Sequence, residues 1–369
     1  MPFADELLGE NAATALARSI STAARHPVPH LTTAAHALDE FSLGERAAVL
    51  RDALLADVTG DIQALATVIR TALAHDPSFT GWMIWPVTLA ASARAVAEGG
   101  DDAFDIGMSL QAELTGRLTA EFGIRALLRA DPDRAIATML QWTSSDDAAV
   151  RRLASEGSRP FLPWGARIPQ LASQPLVTVP ILDALHLDED EVVRRSVANH
   201  LNDLSREHAE LVVDTATRWL DDRAADDSTT LPLVRHALRT LVKRGDPGAL
   251  GVLGFSAGSF AVEGPTLDVE TVPFGGAVEF TAVVRNEGDA AAKVAIDYVV
   301  HHRKANGSST TKTFKHAVLE LAPGESVAVR RTHSFRAITT PRYHPGTHAI
   351  AVQVNGVATE PVRFELAAE

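Results

Sequence analysis

The sequence contains no cysteine. That absence excludes a disulfide scaffold, a zinc finger, an iron–sulfur centre and a thiol nucleophile. No apolar run approaches the ~18 residues that a bilayer-spanning helix needs, so no membrane partner is expected. A secretory leader would begin basic and then turn apolar, whereas this chain begins with Asp5, Glu6 and Glu10. A cytoplasmic protein is expected. An excess of positive charge is missing as well: 34 Lys and Arg stand against 47 Asp and Glu, a net charge of −13. What is present fits a folded chain, with 46% hydrophobic and 22% charged residues, and wholesale disorder is excluded. At 369 residues and roughly 150 per domain, two or three domains are expected.

The negative charge is concentrated at one end. Residues 1–149 hold 10 basic against 20 acidic side chains, residues 150–249 hold 13 against 15, and residues 250–369 hold 11 against 12. Binding to phosphates depends on where cations cluster, not on their sum. The acidic first part is therefore the wrong place to look for such a ligand.

The chain changes character once, near residue 250. Before it, alanine- and leucine-rich segments have helical spacing. Ser42-Leu43-Gly44-Glu45 has the form of a capping box ahead of a helix through Leu55. Asp131-Pro132-Asp133 supplies an N-cap, a first-turn proline and an acidic first turn for a helix reaching about Trp142. Segment 79–98, with Trp82 and Trp85, predicts a largely buried helix. Beyond Gly251-Val252-Leu253-Gly254 the period drops to two, with Val278, Phe280, Ala282 and Val284 alternating against Glu279, Thr281, Val283 and Arg285. Asn286-Glu287-Gly288-Asp289, Ala322-Pro323-Gly324 and Asn355-Gly356 are turn signals. Six or seven short strands predict an immunoglobulin-like β-sandwich. The expected organisation is a multidomain α + β chain: an all-α repeat solenoid over 1–250, a linker over 251–259 and the sandwich over 260–369.

The helical part contains a repeat. Val150-Arg151-Arg152, Val193-Arg194-Arg195 and Val234-Arg235-His236 stand 43 and 41 residues apart, and acidic residues precede the first two. A period of ~40–47 residues is that of HEAT and armadillo units, which stack because none buries its apolar stripe alone. Helical spacing places Arg152 and Glu156 on one face with Arg159 close by, then Arg195, Asn199 and Asp203, then Arg235, Arg239 and Lys243. Such ridges either pair with neighbouring carboxylates on a solvated face or hold a phosphate backbone, since one guanidinium takes two oxygens. Glu156 and Asp203, set within these ridges, either balance charge or face a group that becomes positive.

The string Arg151-Arg152-Leu-Ala-Ser-Glu156-Gly-Ser-Arg159-Pro160-Phe-Leu-Pro163-Trp164-Gly165, followed by Val193-Arg194-Arg195-Ser-Val-Ala-Asn199-His200-Leu-Asn202-Asp203, resembles the AlkC branch of the AlkC/AlkD DNA alkylation-repair glycosylases. The resemblance runs through most of residues 1–250. It departs at Phe161, where a basic residue is expected. Some members of that branch carry an immunoglobulin-like domain at the C-terminus.

The resemblance implies a cytoplasmic, nucleoid-associated bacterial enzyme acting as a monomer on double-stranded DNA that carries alkylated bases, without a cofactor or metal. The substrates it implies are 3-methyladenine and 3-methylcytosine, removed without full base flipping. A cationic base leaves without a general acid, so what remains is to stabilise an oxocarbenium-like sugar and direct a water. Glu156 is the first candidate, with Glu121 and Asp203 beside it by resemblance. Arg151, Arg152, Arg159, Arg194, Arg195, Asn199, Arg235, Arg239 and Lys243 are the expected DNA contacts. Trp164 either caps the repeat core after Pro163 or lies against a sugar or base edge. In the sandwich, His301-His302-Arg303-Lys304, Lys312, Lys315 and Arg330-Arg331 form either a second phosphate-contacting edge or a charged, protected strand edge. His26/His30 and His344/His348 have ligand spacing, but their proline-interrupted, non-helical context argues against a metal. A non-catalytic repeat scaffold that binds DNA or protein stays open as the alternative, and it would have no need of Glu156.

Overall fold

The structure is a computed structural model describing residues 4–224, 227–255, 260–336 and 343–368. Its first helices are α1 (Ala4–Leu8), α2 (Glu10–Ala24), α3 (Pro29–Ala35), α4 (Leu43–Asp57), α5 (Ile62–His75), α6 (Ile84–Glu98) and α7 (Asp101–Thr115). The central ones are α8 (Ile124–Ala130), α9 (Pro132–Trp142), α10 (Ala148–Gly157), α11 (Pro169–Ser173), α12 (Val179–Leu185) and α13 (Glu191–Leu204). Then come α14 (Ala209–Asp221), α15 (Thr230–Ala237), α16 (Arg239–Arg244) and α17 (Pro247–Val252).

Local chemistry explains where these helices start. The Ser42–Glu45 capping box opens α4, and the Asp131 side chain accepts from the Arg134 amide at the head of α9. The acidic residues that precede the first two repeat copies are caps too. Asp147 accepts from the Ala149 amide ahead of α10, and Asp190 from the Val192 amide ahead of α13. In α6 Trp85 is buried against Phe122, with ring centroids 4.8 Å apart.

The repeat is a row of helices. α9 with α10, and α12 with α13, form helical hairpins, and α10, α13 and α15 pack in sequence. Val150, Leu153 and Ala154 of α10 and Val193, Val197 and Leu201 of α13 are buried. Each hairpin needs its neighbour to cover that stripe, which is the logic of a HEAT-like solenoid.

The strands are β1 (Phe260–Leu267), β2 (Thr271–Val272), β3 (Ala277–Asn286), β4 (Ala292–Arg303) and β5 (Ser309–Leu321). β6 (Ser326–Ser334), β7 (Gly346–Val354), β8 (Val357–Ala358) and β9 (Val362–Leu366) follow. One sheet has the order β1-β3-β6 and the other β2-β9-β7-β4-β5, with β8 on β7. Val278, Phe280, Ala282 and Val284 fill the space between them together with Val294, Ile296, Tyr298 and Val300. Asn286 ties two turns together: its side-chain amide donates to the carbonyls of Ala290 (2.8 Å) and Leu321 (2.9 Å). Asn355 and Gly356, both at positive φ, make the two-residue turn from β7 to β8.

The chain forms two compact units, Met1–His208 with Ala224–Ala237, and Ala209–Arg223 with Leu238–Glu369. The second unit joins α14, α16 and α17 to the sandwich. Gly245, at φ 73°, ends α16 against the β7–β8 turn, where a Cβ would stand 2.7 Å from the Gly356 Cα. The Gln353 amide donates to the Lys243 carbonyl (2.6 Å), and Leu250 and Phe255 pack on Ala295. The segment 251–259, read from sequence as a linker, thus begins inside α17, and its residues 256–259 lie outside the described residues.

Candidate active site

The site is built where α10 meets α13. With Leu153 and Ala154 buried on one side of α10, Glu156 ends the helix with its carboxylate enclosed, its side chain 8% exposed. Ser196 of α13 donates its hydroxyl to Glu156 Oε2 at 2.7 Å. One turn on, His200 Nδ1 donates to the Ser155 carbonyl (2.9 Å). Complete burial pushes the His200 imidazole down to about 3, so it is a neutral strut.

Arg159 links the two helices. Its Nη1 donates to Glu156 Oε1 at 2.5 Å and its Nε to Asp203 Oδ2 at 2.9 Å. Burial alone would lower the guanidinium's pKa, but the hydrogen bond to Asp203 and the charges of both carboxylates outweigh it and raise it. Burial also raises the Asp203 carboxyl, against the opposing pull of Arg159.

Arg152 extends the chain. It donates to Glu121 Oε2 (3.0 Å) and Thr119 Oγ1 (3.0 Å), and its Nη2 lies 3.9 Å from Glu156 Oε2. Glu121, Glu156 and Asp203 are therefore brought together through two arginines. Each ionised carboxylate has about four lone-pair positions, so Glu156, with two partners, retains acceptor capacity.

The loop after α10 is held from below by a helix that sequence reasoning passed over. Arg125 of α8, 2% exposed, donates to the carbonyls of Gly157 (3.1 Å), Arg159 (2.8 Å) and Ala166 (2.5 Å). Burial, with the charges of Arg129 and Arg159, brings its pKa down to about 10, which still leaves a cation. Arg129, one turn along, donates to the Arg167 carbonyl (2.8 Å). Only the i, i+4 spacing of these two arginines hints at a shared task.

Between the clamped ends, Leu162-Pro163-Trp164-Gly165 forms a turn closed by Gly165 N–H to Leu162 O (3.1 Å). Trp164 has φ 61° and is 65% exposed. It does not cap the repeat core; Leu162, 5% exposed, fills that place. A left-handed conformation costs a non-glycine residue about 1–2 kcal/mol, so the exposed ring is held there by its loop.

The expected cationic ridges divide. Arg151 turns back to Asp188 (2.7 and 3.1 Å) and the Ser145 carbonyl, Arg194 to the carbonyls of Asp188 and Glu189, and Arg159 into the carboxylates. Of these three expected DNA contacts, Arg151 commits Nε, Nη1 and Nη2 within the protein, Arg159 commits Nε and Nη1, and Arg194 commits Nη1. Arg195 and Arg235 are exposed, and Arg195 lines a cavity of about 220 Å³ with Ala198, Leu233 and His236. Asn199 Oδ1 accepts from His236 Nε2 (2.9 Å). The third ridge is not one helix: α15 ends at Ala237 and α16 begins at Arg239, so Arg235 is separated from Arg239 and Lys243 by a break. In the sandwich, His302 is buried among Phe335, Tyr343 and His348 and so is no edge residue, and Arg330 pairs with Glu279 (2.7 Å). Arg303, Lys304 and Lys312 stand exposed on the β4–β5 hairpin.

The fold and site together define a HEAT-like repeat protein with a buried carboxylate–guanidinium cluster and an immunoglobulin-like C-terminal sandwich. Residues 261–368 match the family model described as "Uncharacterised protein YhaZ, C-terminal Ig-like domain". Over 249 residues, 67% of this chain and 68% of its relative, the sequence is 36% identical to the protein YhaZ of Bacillus subtilis (strain 168). Across the whole of both chains the structure is similar to that of Pseudomonas fluorescens AlkC, an alkylpurine DNA glycosylase bound to DNA containing an abasic site analog, with a TM-score of 0.84 and 29% identity. The chain belongs to the AlkC branch of the AlkC/AlkD HEAT-like repeat family, in the form that carries a C-terminal immunoglobulin-like domain.

Proposed function

We propose that this chain is a DNA glycosylase that hydrolyses the N-glycosidic bond of alkylated bases in duplex DNA, with cationic 3-methyladenine and 3-methylcytosine as substrates. The observation that carries this reading is the enclosed sequence Glu121–Arg152–Glu156–Arg159–Asp203, set beside a loop that forces Trp164 into solvent. Full-length likeness to AlkC supports it.

The chemistry follows from the charges. An N3-methylated base is already a cation and departs as a neutral molecule, so no proton donor is required. The sugar left behind is positive, and a carboxylate held in place before the bond breaks stabilises it with little reorganisation. Arg159 and Ser196 fix Glu156 in this way, and its remaining lone pairs can accept from the water that attacks C1′. Glu121 and Asp203 add negative field from either side. Arg195, Asn199, Arg235, Arg239 and Lys243 contact the DNA backbone while Arg152 stays with Glu121, Trp164 lies against the exposed sugar or base edge, and the β4–β5 hairpin supplies a second contact.

The test is release of 3-methyladenine from alkylated duplex by the purified protein. Glu156→Gln should slow it by at least about 100-fold while duplex affinity stays equal or improves. Near-normal release by the variant would remove Glu156 from the mechanism. No release by the natural protein, with duplex binding intact, would instead support a non-catalytic repeat scaffold.

A further inference from the structure

We infer that Arg167 and Arg206, whose guanidinium groups both lie over the Phe161 ring, form a phosphate-binding subsite for the nucleic-acid backbone. Phe161 is half-buried at the start of the loop that presents Trp164. The Arg206 guanidinium carbon lies 4.5 Å from its ring centroid and that of Arg167 lies 5.6 Å away. Both side chains are exposed, and neither pairs with a carboxylate within 4.0 Å among the described residues. Their neighbours differ sharply: Arg125, Arg151, Arg152 and Arg159 all have donors committed to carboxylates or carbonyls.

Three features make this more than a solvated pair of charges. Cation–π attraction to the ring holds each guanidinium in place and reduces the rotamer freedom lost on binding, yet leaves N–H groups for two oxygens. The backbone of each residue is anchored to the cluster already described. Arg129 holds the Arg167 carbonyl, Arg125 holds that of Ala166, and the Arg206 amide donates to the Asp203 carbonyl at 3.3 Å. Finally, exposed Trp164 stands on the same loop. Paired cations with a nearby aromatic face match a phosphodiester and its sugar, whereas an acidic peptide would use the cations alone.

This subsite rests on the reading of the chain as a DNA-binding glycosylase and adds a specific contact to it. The experiment is fluorescence anisotropy of a labelled, undamaged duplex titrated with the full-length protein over a range of NaCl concentrations. Arg167→Ala and Arg206→Ala should each weaken binding about tenfold and flatten the log–log salt slope by about 0.9, with the double variant flattening it by about twice that. Arg206→Lys keeps the charge but not the planar fork, so it should keep most of the slope while losing part of the affinity. Should an alanine variant fail to fold, Arg167→Lys, Arg206→Lys and Phe161→Leu, which removes the aromatic face but no charge, keep the test open: each should lower affinity while keeping most of the slope. Natural protein that shows no salt-dependent duplex binding would sink the glycosylase reading itself. Salt-dependent binding by the natural protein that is unchanged in the double variant, or in its lysine and leucine substitutes, would overturn only the subsite and leave this surface to an acidic protein partner.

Discussion

Helices α10 and α13 carry the same Val-Arg-Arg triplet at the same repeat position and use its second arginine in opposite ways. Arg151 and Arg194, the first arginines, behave alike: each reaches back to backbone carbonyls five and six residues earlier. They close the turn that leads into their own helix. Arg152 is committed to Glu121 and Thr119, while Arg195 stays exposed beside a cavity. The surroundings differ: Arg152 meets the Glu121 carboxylate from outside its helix, and the next turn of each helix differs too. Four residues on, α10 has Glu156, whereas α13 has Asn199, which accepts from His236 and offers no charge. One repeat position maintains the solenoid, and the position beside it is free to diverge.

The largest expected effect lies where the two copies are joined. Arg159→Met retains length and removes the charge that Glu156 and Asp203 share. Leaving Asp203 without its ion-pair partner and Glu156 with only Ser196 and the more distant Arg152 should cost about 3–5 kcal/mol of stability, read as a drop in the urea midpoint. A cost below about 1 kcal/mol would mean that water already screens the cluster, and the contrast between an enclosed α10 face and an open α13 face would fail.

That join could not be read from the sequence. Periodicity assigns a residue to a face but does not name its partner. Arg159 meets Asp203 from 44 positions away, and Arg125 meets Ala166 from 41. Local signals carried further: the Ser42–Glu45 box, the Asp131-Pro132 start and the Asn355-Gly356 turn each act within a few residues and appear where expected. The strand alternation from Val278 to Val284 also holds, because every second side chain meets the same core. Helical spacing did not reveal the break at Leu238, since the apolar stripe continues on both sides of it. The exposure of Trp164 was hidden for a related reason: positive φ falls on the tryptophan and not on Gly165 beside it.

Next in size are the two second arginines. Arg195→Ala should weaken duplex binding about tenfold and flatten the salt slope by about 0.9, with little change in stability. Arg152→Ala should affect affinity less and base release more, because it leaves Glu121 and Glu156 without the cation between them. Measuring anisotropy and single-turnover release on both variants separates these outcomes. Equal losses of affinity from the two would show that Arg152 swings out to the DNA despite its partners.

The smallest effects belong to the first arginines, and they sharpen the comparison most. Arg194→Ala removes hydrogen bonds to two carbonyls and should cost about 1 kcal/mol. Arg151→Ala should cost more, about 2 kcal/mol, because it also strips Asp188 of its two-pronged partner. Burial works to raise the Asp188 carboxyl, yet the hydrogen bonds from Arg151 and the Asp190 amide hold it below its ordinary value, so the lost partner matters. The linkage has a definite sign. A carboxyl depressed in the folded state adds stability above its unfolded pKa and loses it as pH falls through the folded value, so the gap between Arg151→Ala and the natural protein should narrow in acid. Neither variant should alter the salt slope of duplex binding, because each side chain is turned back onto the carbonyls that precede its own helix. A flattened slope in either one would place that arginine on the DNA and erase the division of labour between the two positions of the triplet.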